Sequence, residues 1–475
     1  MSATPPHSSP DLGHARAAGR AFGADLGIAE KLRPYEAYRW RPDDPQHPTL
    51  QLDDVSAIPF LVDIAGVEEY QHRGRLRAGD EDVYVTVTPA PEGYEAYCQE
   101  RLRMGAPRHL VADPVGPPIA VARACTAGRT HDRLVEIARD AHGMMIHPYM
   151  GIEDVWELAA MLSVDSRAPV HVLAPPPPVT WIANDKASFG ELVALVLGRD
   201  ALVETRISRH VNGIRSDLQA LARRHERVGL KRTRCASAMG NAVFASSDVQ
   251  SEREAEIAVR EFLRRTEWPE GEEVLSVAWL QTELSPSTQL WIPPIGRGEP
   301  ELDGIYEQIL KGEEKVFVGS RPSSLPDAVN QTLGRSALMV GAALQELGYV
   351  GRCSFDHLVT GDLHGEFQVV MTECNGRWGG TSAPMSLLDR LLRGPRPPYR
   401  AQDVVYPELA GAELPDLLEL AGDSMFETGS GEGRFIFYNI GPLGEHGKFD
   451  VISIGADQEE AERGMLEILP ERLGL

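Results

Sequence analysis

Glu366-Phe-Gln-Val-Val-Met-Thr-Glu-Cys-Asn-Gly-Arg-Trp-Gly-Gly380 reads as a strand that runs out into polar side chains and glycines. Phe367, Val369 and Met371 alternate with Gln368, Val370 and Thr372, so one face is apolar and the other mixed. Period two then places Glu373 and Asn375 on one face and Cys374 on the other. Just upstream, Arg352-Cys-Ser-Phe-Asp-His-Leu-Val359 reads as a second strand, and Thr360-Gly-Asp-Leu-His-Gly365 as the turn-rich connection of a hairpin. That pairing brings Asp356 beside Glu373. Asp, Glu and Asn oxygens on one sheet face suit a hard cation such as Mg²⁺, which takes further ligands from water and nucleotide phosphates. A hairpin with an ordinary polar face fits these residues equally well.

Bulk properties narrow the class. A chain of 475 residues has room for two or three domains with substantial cores. Acidic residues outnumber basic ones by 70 to 47, for a formal charge of -23, which argues against wrapping nucleic acid or docking on an anionic membrane. Cysteines at 98, 125, 235, 353 and 374 show no CxxC spacing and are odd in number, so neither a disulfide framework nor a zinc site is indicated and a reducing cytoplasm fits. No apolar run has the length of a membrane span or a signal-peptide core.

In chain order, residues 1 to 50 read as a poorly ordered tail and an irregular lead-in, with proline-rich stretches at 4 to 10 and 42 to 48. From 51 to 180, short β-rich runs such as Val83-Tyr-Val-Thr-Val87 and Val170-His-Val-Leu173 alternate with helical patterns, the signature of a parallel, Rossmann-like sheet. No GxGxxG follows the first strand, so dinucleotide binding has no support. Ala174-Pro-Pro-Pro-Pro178 reads as a stiff linker. Beyond it, Asn184 or Asp185 can cap a helix with Lys186 in its first turn. A cation there opposes the helix dipole unless an anion also binds. The strand Val228-Gly-Leu-Lys-Arg-Thr233 places Lys231 just before Arg234-Cys-Ala-Ser-Ala-Met-Gly-Asn241, a loop of mostly small residues over which backbone N–H groups can approach phosphate.

Between Lys186 and Arg234 eleven Lys/Arg stand against five Asp/Glu, a basic island in an acidic protein. About half of it reads as a solvated helix face. No GxxxxGK[ST] is present, which excludes a P-loop. Val274-Leu-Ser-Val-Ala-Trp-Leu280 is a buried strand by composition, and 325 to 347 a long amphipathic helix interrupted at Gly334 and Gly341. His357, Cys353 and Cys374 fit packed positions better than reactive ones.

A Rossmann-like domain, a helix-initial Asp-Lys, a strand lysine before a small-residue loop, a hinge strand and then Asp…Glu-x-Asn-x-Arg occur in this order. The order resembles the ATP-grasp superfamily of carboxylate–amine ligases, over residues 80 to 392. With the tail from 434 to 475 the likeness extends to nearly the full length and to its pheganomycin-type peptide ligases with a pre-ATP-grasp domain. The resemblance implies an α/β chain with a pre-ATP-grasp Rossmann-like domain at 51–180 and an α+β ATP-grasp domain of two lobes. Its small lobe would span 181–280 and its large lobe, with the metal site, 281–395. A C-terminal module at 396–475 completes the large lobe.

Residue by residue, it implies that Lys186 and Lys231 contact ATP phosphates beneath a mobile loop at 235–241 that includes Ser237, Ala238, Met239 and Gly240. Trp279, Leu280 and Glu283 would meet the nucleotide after the hinge, and Asp356, Glu373 and Asn375 would hold Mg²⁺ or Mn²⁺. Arg377 or Arg352 would join Lys231 in catalysis by facing phosphate or the developing oxyanion. Two departures stand out: Val277 and Ala278 occupy hinge positions where the family often has Glu, and Ser354 replaces its common Arg.

The activity implied is cytoplasmic and ADP-forming. A small amino-acid-like carboxylate is joined to an amino acid or peptide through an acyl phosphate, in peptide antibiotic biosynthesis. The 235–241 loop and Gly429-Ser-Gly-Glu-Gly433 would close over the intermediate. A thiol or bicarbonate acceptor, or a non-catalytic ATP-binding regulator, are the alternatives. A homodimer is compatible with the resemblance, and neither substrate is readable.

Overall fold

Strand–helix alternation between residues 49 and 172 produces a five-stranded parallel sheet. Its strands are β1 (Thr49–Leu52), β2 (Val83–Thr86), β3 (Arg108–Val111), β4 (Met144–Pro148) and β5 (Val170–Val172), in the order β3-β2-β1-β4-β5. The structure is a computed structural model and describes residues 10–61, 64–235, 240–312 and 315–475. Leu50 and Leu52 of the central strand share a core with Leu134, Val155 and Leu162 from the helices Gly128–Asp140 and Glu153–Ser166. β1 begins inside the stretch expected to be irregular. Two of its four residues are polar and prolines precede it, so no apolar run marks it, yet parallel neighbours on both sides bury all four.

The expected tail is also partly a helix. Leu12–Asp25 is capped by Asp11, whose carboxylate accepts from the His14 N–H at 2.9 Å. This helix lies on Asp327–Glu346 so closely that a Cβ on Gly19 would sit 2.5 Å from the Ala343 carbonyl oxygen. Glycine is the residue that permits the contact. Asp327–Glu346 itself runs through Gly334 and Gly341 without a break. Both glycines are seats for neighbours: Leu302 packs at Gly334, and Leu290 and Pro300 at Gly341. The proline run is buried from Pro175 to Pro177, and its last two prolines open the helix Pro177–Asn184.

A second, antiparallel sheet consists of β6 (Thr205–Ser208), β7 (Arg227–Arg232), β8 (Asn241–Ala245) and β9 (Val274–Ala278), in the order β6-β9-β7-β8. The helices Val211–Ala222 and Glu252–Arg265 cover it through Ile214, Leu218, Val259 and Phe262.

The third sheet has eight antiparallel strands. These are β10 (Pro286–Ile292), β11 (Glu301–Lys311), β12 (Val316–Pro322), β13 (Gly351–Gly361), β14 (Phe367–Asn375), β15 (Tyr399–Val405), β16 (Phe435–Asn439) and β17 (Lys448–Ile454). Their order is β14-β13-β10-β11-β12-β15-β17-β16. Phe189 and Leu192 of the helix Lys186–Leu197, with Val340 and Leu344 of Asp327–Glu346, pack on one face against Cys353, Phe355, Met371 and Cys374.

Register in the β13–β14 hairpin decides which side chains reach the other face. Asp356 pairs with Glu373 and His357 with Met371, leaving Thr372 as an extra residue. This β-bulge reverses the alternation. Strict period two along β14 would put Glu373 with Met371; instead Met371 and Cys374 share the core, and Glu373 and Asn375 turn the other way into a cavity. His357 stays on the core side, fully buried with Nε2 3.1 Å from Thr288 Oγ1, and burial lowers its pKa to about 3. Among the described residues no helix is long and apolar enough to cross a membrane.

Candidate active site

The sequence of residues 180–190 builds one corner of the site. Asp185 is the N-cap of Lys186–Leu197: its Oδ1 accepts from the N–H groups of Ala187 and Ser188, each at 3.1 Å, and its Oδ2 meets Arg234 Nε at 3.1 Å. Lys186, the first helical residue, is buried, with Nζ 2.9 Å from Glu373 Oε2 and 3.5 Å from the Cys235 carbonyl. Asn184 grips the exit of β14. Its Oδ1 accepts from Gly376 N–H at 3.1 Å and its Nδ2 donates to the Gly376 carbonyl at 3.3 Å. A Cβ on Gly376 would fall 2.7 Å from that amide.

Across the hairpin, Asn375 Nδ2 donates to Asp356 Oδ2 at 3.0 Å while Asn375 Oδ1 accepts from Arg377 Nη2 at 2.9 Å. Arg377 also donates to the Tyr149 hydroxyl at 3.3 Å and to the Trp378 carbonyl at 2.9 Å. Lys186, Asp356, Glu373, Asn375 and Arg377 thus line one cavity of about 380 Å³ between the first and third sheets. Lys231 stands behind it, its Nζ 5.1 Å from the centre of the Trp279 ring.

Electrostatics set the two carboxyls apart. Burial and the charge of Glu373 push Asp356 up to about 7, against hydrogen bonds from Ser287 and Asn375. Burial also works against the Glu373 charge, but Lys186 and Lys231 together hold Glu373 below its ordinary value. Lys231 is lowered, chiefly by burial. For Lys186 burial is outweighed by Cys235 and Glu373, and its pKa lies above the usual one. Two carboxylates and an amide oxygen are an all-oxygen donor set, and a divalent cation beside Asp356 would remove the repulsion that pushes it up; Asp356, Glu373 and Asn375 could therefore hold Mg²⁺.

Not every expected residue joins them. Arg352 shares the Asp356 face of β13 but sits farther along, on Asp303 and 5.2 Å from the Trp378 ring centre, outside the cavity. Trp279 and Leu280 do not line it either, and Glu283 is exposed and paired with Lys315 at 2.8 Å. Ser237, Ala238 and Met239 lie outside the described residues. Gly240 closes the neck of their loop, its carbonyl accepting from Arg232 N–H at 2.9 Å. Gly429–Gly433 does not face the cavity: the adjoining Thr428 donates to the Leu102 carbonyl at 2.9 Å.

Conversely, Ser287, Tyr149 and Arg73 belong to the site without having been singled out, and Asn184, read only as an alternative to Asp185 for the helix cap, holds Gly376 instead. Tyr149 alone had a signal. It follows the end of a parallel strand, the position where open α/β sheets bind ligands.

Comparison with known proteins fits this architecture. Residues 71–164 match the family described as the Pre ATP-grasp domain. No curated protein sequence matches the chain. Among solved structures, carboxyaminoimidazole ribonucleotide synthase from Aspergillus clavatus complexed with ATP is similar over 90% of this chain and 98% of that one, at 11% identity and TM-score 0.53. The biotin carboxylase domain of Hydrogenobacter thermophilus 2-oxoglutarate carboxylase, in complex with MgADP, ADP and bicarbonate, is similar over 88% of each chain, at 12% identity and TM-score 0.51. N5-carboxyaminoimidazole synthetase from Staphylococcus aureus complexed with ADP is similar over 91% and 99%, at 9% identity and TM-score 0.51. At such identities the likeness is one of fold. The chain has an α/β fold, with a parallel-sheet N-terminal domain followed by antiparallel sheets, an arrangement similar to that of these structures.

Proposed function

We propose that this chain is an ATP- and Mg²⁺-dependent, ADP-forming ligase that joins an amino-acid-like carboxylate to the amine of an amino acid or peptide. The observation that carries the reading is the convergence of Lys186, Asp356, Glu373, Asn375 and Arg377 on one cavity, with Lys186 Nζ 2.9 Å from Glu373. The narrower assignment, a peptide ligase of antibiotic biosynthesis, is supported by the sequence resemblance alone.

In this reading Lys186 and Lys231 neutralise the phosphates of ATP. Lys186 then exchanges its contact with Glu373 for one with phosphate. Mg²⁺ on Asp356, Glu373 and Asn375 would supply charge neutralisation at the transferred phosphoryl group. Arg377, held between Asn375 and Tyr149, orients the donor carboxylate. A carboxylate oxygen attacks the γ-phosphorus and ADP leaves, giving an acyl phosphate. The acceptor amine adds to the acyl carbon, loses a proton, and phosphate leaves as the C–N bond is completed. Positioning and electrostatics carry most of this.

The test is ADP and phosphate release from Mg-ATP with a panel of amino-acid-like carboxylates and bicarbonate, pooled amino acids and peptides as acceptors, and product masses read alongside. Turnover with a new mass equal to acid plus amine minus water is expected. Tight ATP binding without turnover in any mixture would replace the ligase with a nucleotide-binding regulator.

A further inference from the structure

One wall of the cavity is a guanidinium with few of its donors in use. Arg73, on the 3₁₀ helix Val67–Leu76 of the N-terminal domain, has a side chain only 10% exposed. Its Nε donates to the Tyr70 carbonyl at 3.1 Å and lies 3.2 Å from Asp53 Oδ2. Neither Nη donates to a described residue, and Nη2 is also shut off from solvent. The rings of Tyr70 and Tyr149, with centres 4.6 and 4.8 Å from the guanidinium carbon, hold the group in place without accepting those hydrogens. Buried orphans of this kind are rare in native interiors and point to a missing partner, which for an N–H group is an acceptor.

The space beside Arg73 has the matching sign. Arg73 and Tyr149 line the large cavity and also a side pocket of about 20 Å³, whose other walls include Asp53, Arg77, Trp378 and Ser386. Asp53 is the one carboxylate among its described walls and is shared, because Arg77 Nη2 bonds the oxygen that Arg73 does not. Arg77 keeps an unbonded buried donor of its own, Nε. Two guanidiniums against one carboxylate leave a positive excess: burial and the charge of Arg73 outweigh Asp53 and lower the pKa of Arg77. Asp450 attracts Arg73 from beyond ion-pair distance, Asp403 is paired with Lys448 at 3.2 Å, and none of these three lines the side pocket.

Resting on the ligase reading, we propose that Arg73, assisted by Arg77, holds the carboxylate of the acceptor, so that the amine substrate is an amino acid or a peptide with a free C-terminus. The size of the pocket fits. It exceeds the roughly 10–15 Å³ that one water needs and admits a carboxylate but not a whole residue, so the rest of the ligand lies in the larger cavity. Its position fits the acceptor. Arg377, which orients the donor carboxylate, stands over the same Tyr149 ring at 5.7 Å, so carboxylates on the two guanidiniums lie within about two residues of each other at roughly 3.5 Å per residue. A donor and an acceptor about to be joined need that separation. The fork of an arginine also suits bidentate capture of a carboxylate.

The experiment compares each acceptor that supports turnover with its C-terminal amide, the donor being held constant, in wild type and in Arg73→Gln. In that variant Asp53 keeps Arg77 as a partner, and folding is checked by the melting curve. Wild type is expected to favour the acid by about tenfold or more in kcat/KM. Arg73→Gln should cut that preference to about twofold through the acceptor KM, with KM for ATP unchanged. Equal use of acid and amide by wild type, or an unchanged preference in Arg73→Gln, overturns the subsite while leaving the ligase intact. Arg73→Lys, which keeps the charge and loses the fork, replaces Arg73→Gln if the latter does not fold. It should lower the preference by about threefold or more, and an unchanged preference overturns the subsite here too.

If no mixture releases ADP, the ligase reading has failed, and calorimetric titration of dialanine and dialanine amide without ATP decides the subsite separately. Tighter binding of the acid that Arg73→Gln abolishes supports it. Indistinguishable binding rejects it.

Discussion

Two pairs of carboxyls face each other across neighbouring strands of the same sheet and open on the same cavity: Asp356 with Glu373, and Asp403 with Asp450. In each pair one member is driven up to about 7 by burial and by its neighbour. Their compensation differs. Glu373 is held ionised by Lys186 and Lys231, which enter from outside the sheet, one at a helix start and one on β7. Asp403 is served by Lys448, which belongs to the sheet itself. Charge supplied from another element can be withdrawn or redirected when a ligand arrives, whereas charge built into the sheet is permanent. The compensation of the first pair can therefore change when a ligand binds, while that of the second is fixed in the sheet.

The severest test of that contrast is Glu373→Gln, which removes a metal-directed charge. It should reduce ligation by about 10³-fold or more while the melting temperature stays within a few degrees. An active Glu373→Gln enzyme would sink the metal assignment. Lys186→Met should raise KM for ATP by about 10- to 100-fold. Because Lys186 depresses Glu373, its loss raises the Glu373 pKa, so the acid limb of the kcat/KM profile should move to higher pH; a limb that stays put would mean Lys231 alone sets that carboxyl.

Asp450→Asn should act on stability in a pH-dependent way. An acid with a folded pKa of about 7 contributes stability below its ordinary 3.8, and that contribution is lost as pH rises toward 7. The variant should consequently gain on wild type between pH 4 and 8, by at most about 4 kcal/mol, read from paired melts. A constant difference across that range would show the pair to be compensated after all. The mildest effect is expected for Asn184→Ala, which frees both backbone groups of Gly376: about 1–2 kcal/mol of stability and about tenfold in kcat. No change in kcat would show that the outer helix does not position the metal pair.

The hairpin was legible because it is long, alternating and closed by a glycine-containing turn, and its register places Asp356 opposite Glu373 as the sequence suggested. The bulge at Thr372 was not. Nothing in Met-Thr-Glu announces an extra residue, and only packing of Met371 and Cys374 against the same helices reveals it. Lys186 could be seen because a lysine in a first turn is locally unfavourable, a conflict that asks for an anion. Tyr149, Arg73 and Asn184 come from three separate elements, and their meeting is a tertiary fact with no local periodicity. Arg352 failed for a related reason: its strand face was right, but Asp303, far from it in sequence, claims the guanidinium. β1 was obscured by its polar residues, which tolerate burial because a parallel strand flanked on both sides satisfies its backbone.

The helix Leu12–Asp25, seated through Gly19 on Asp327–Glu346, works as a buckle. It fastens residues 12–25 to the helix that backs the large sheet, so the stretch leading into the first sheet is tied to the third through Ala15, Phe22 and Ala343.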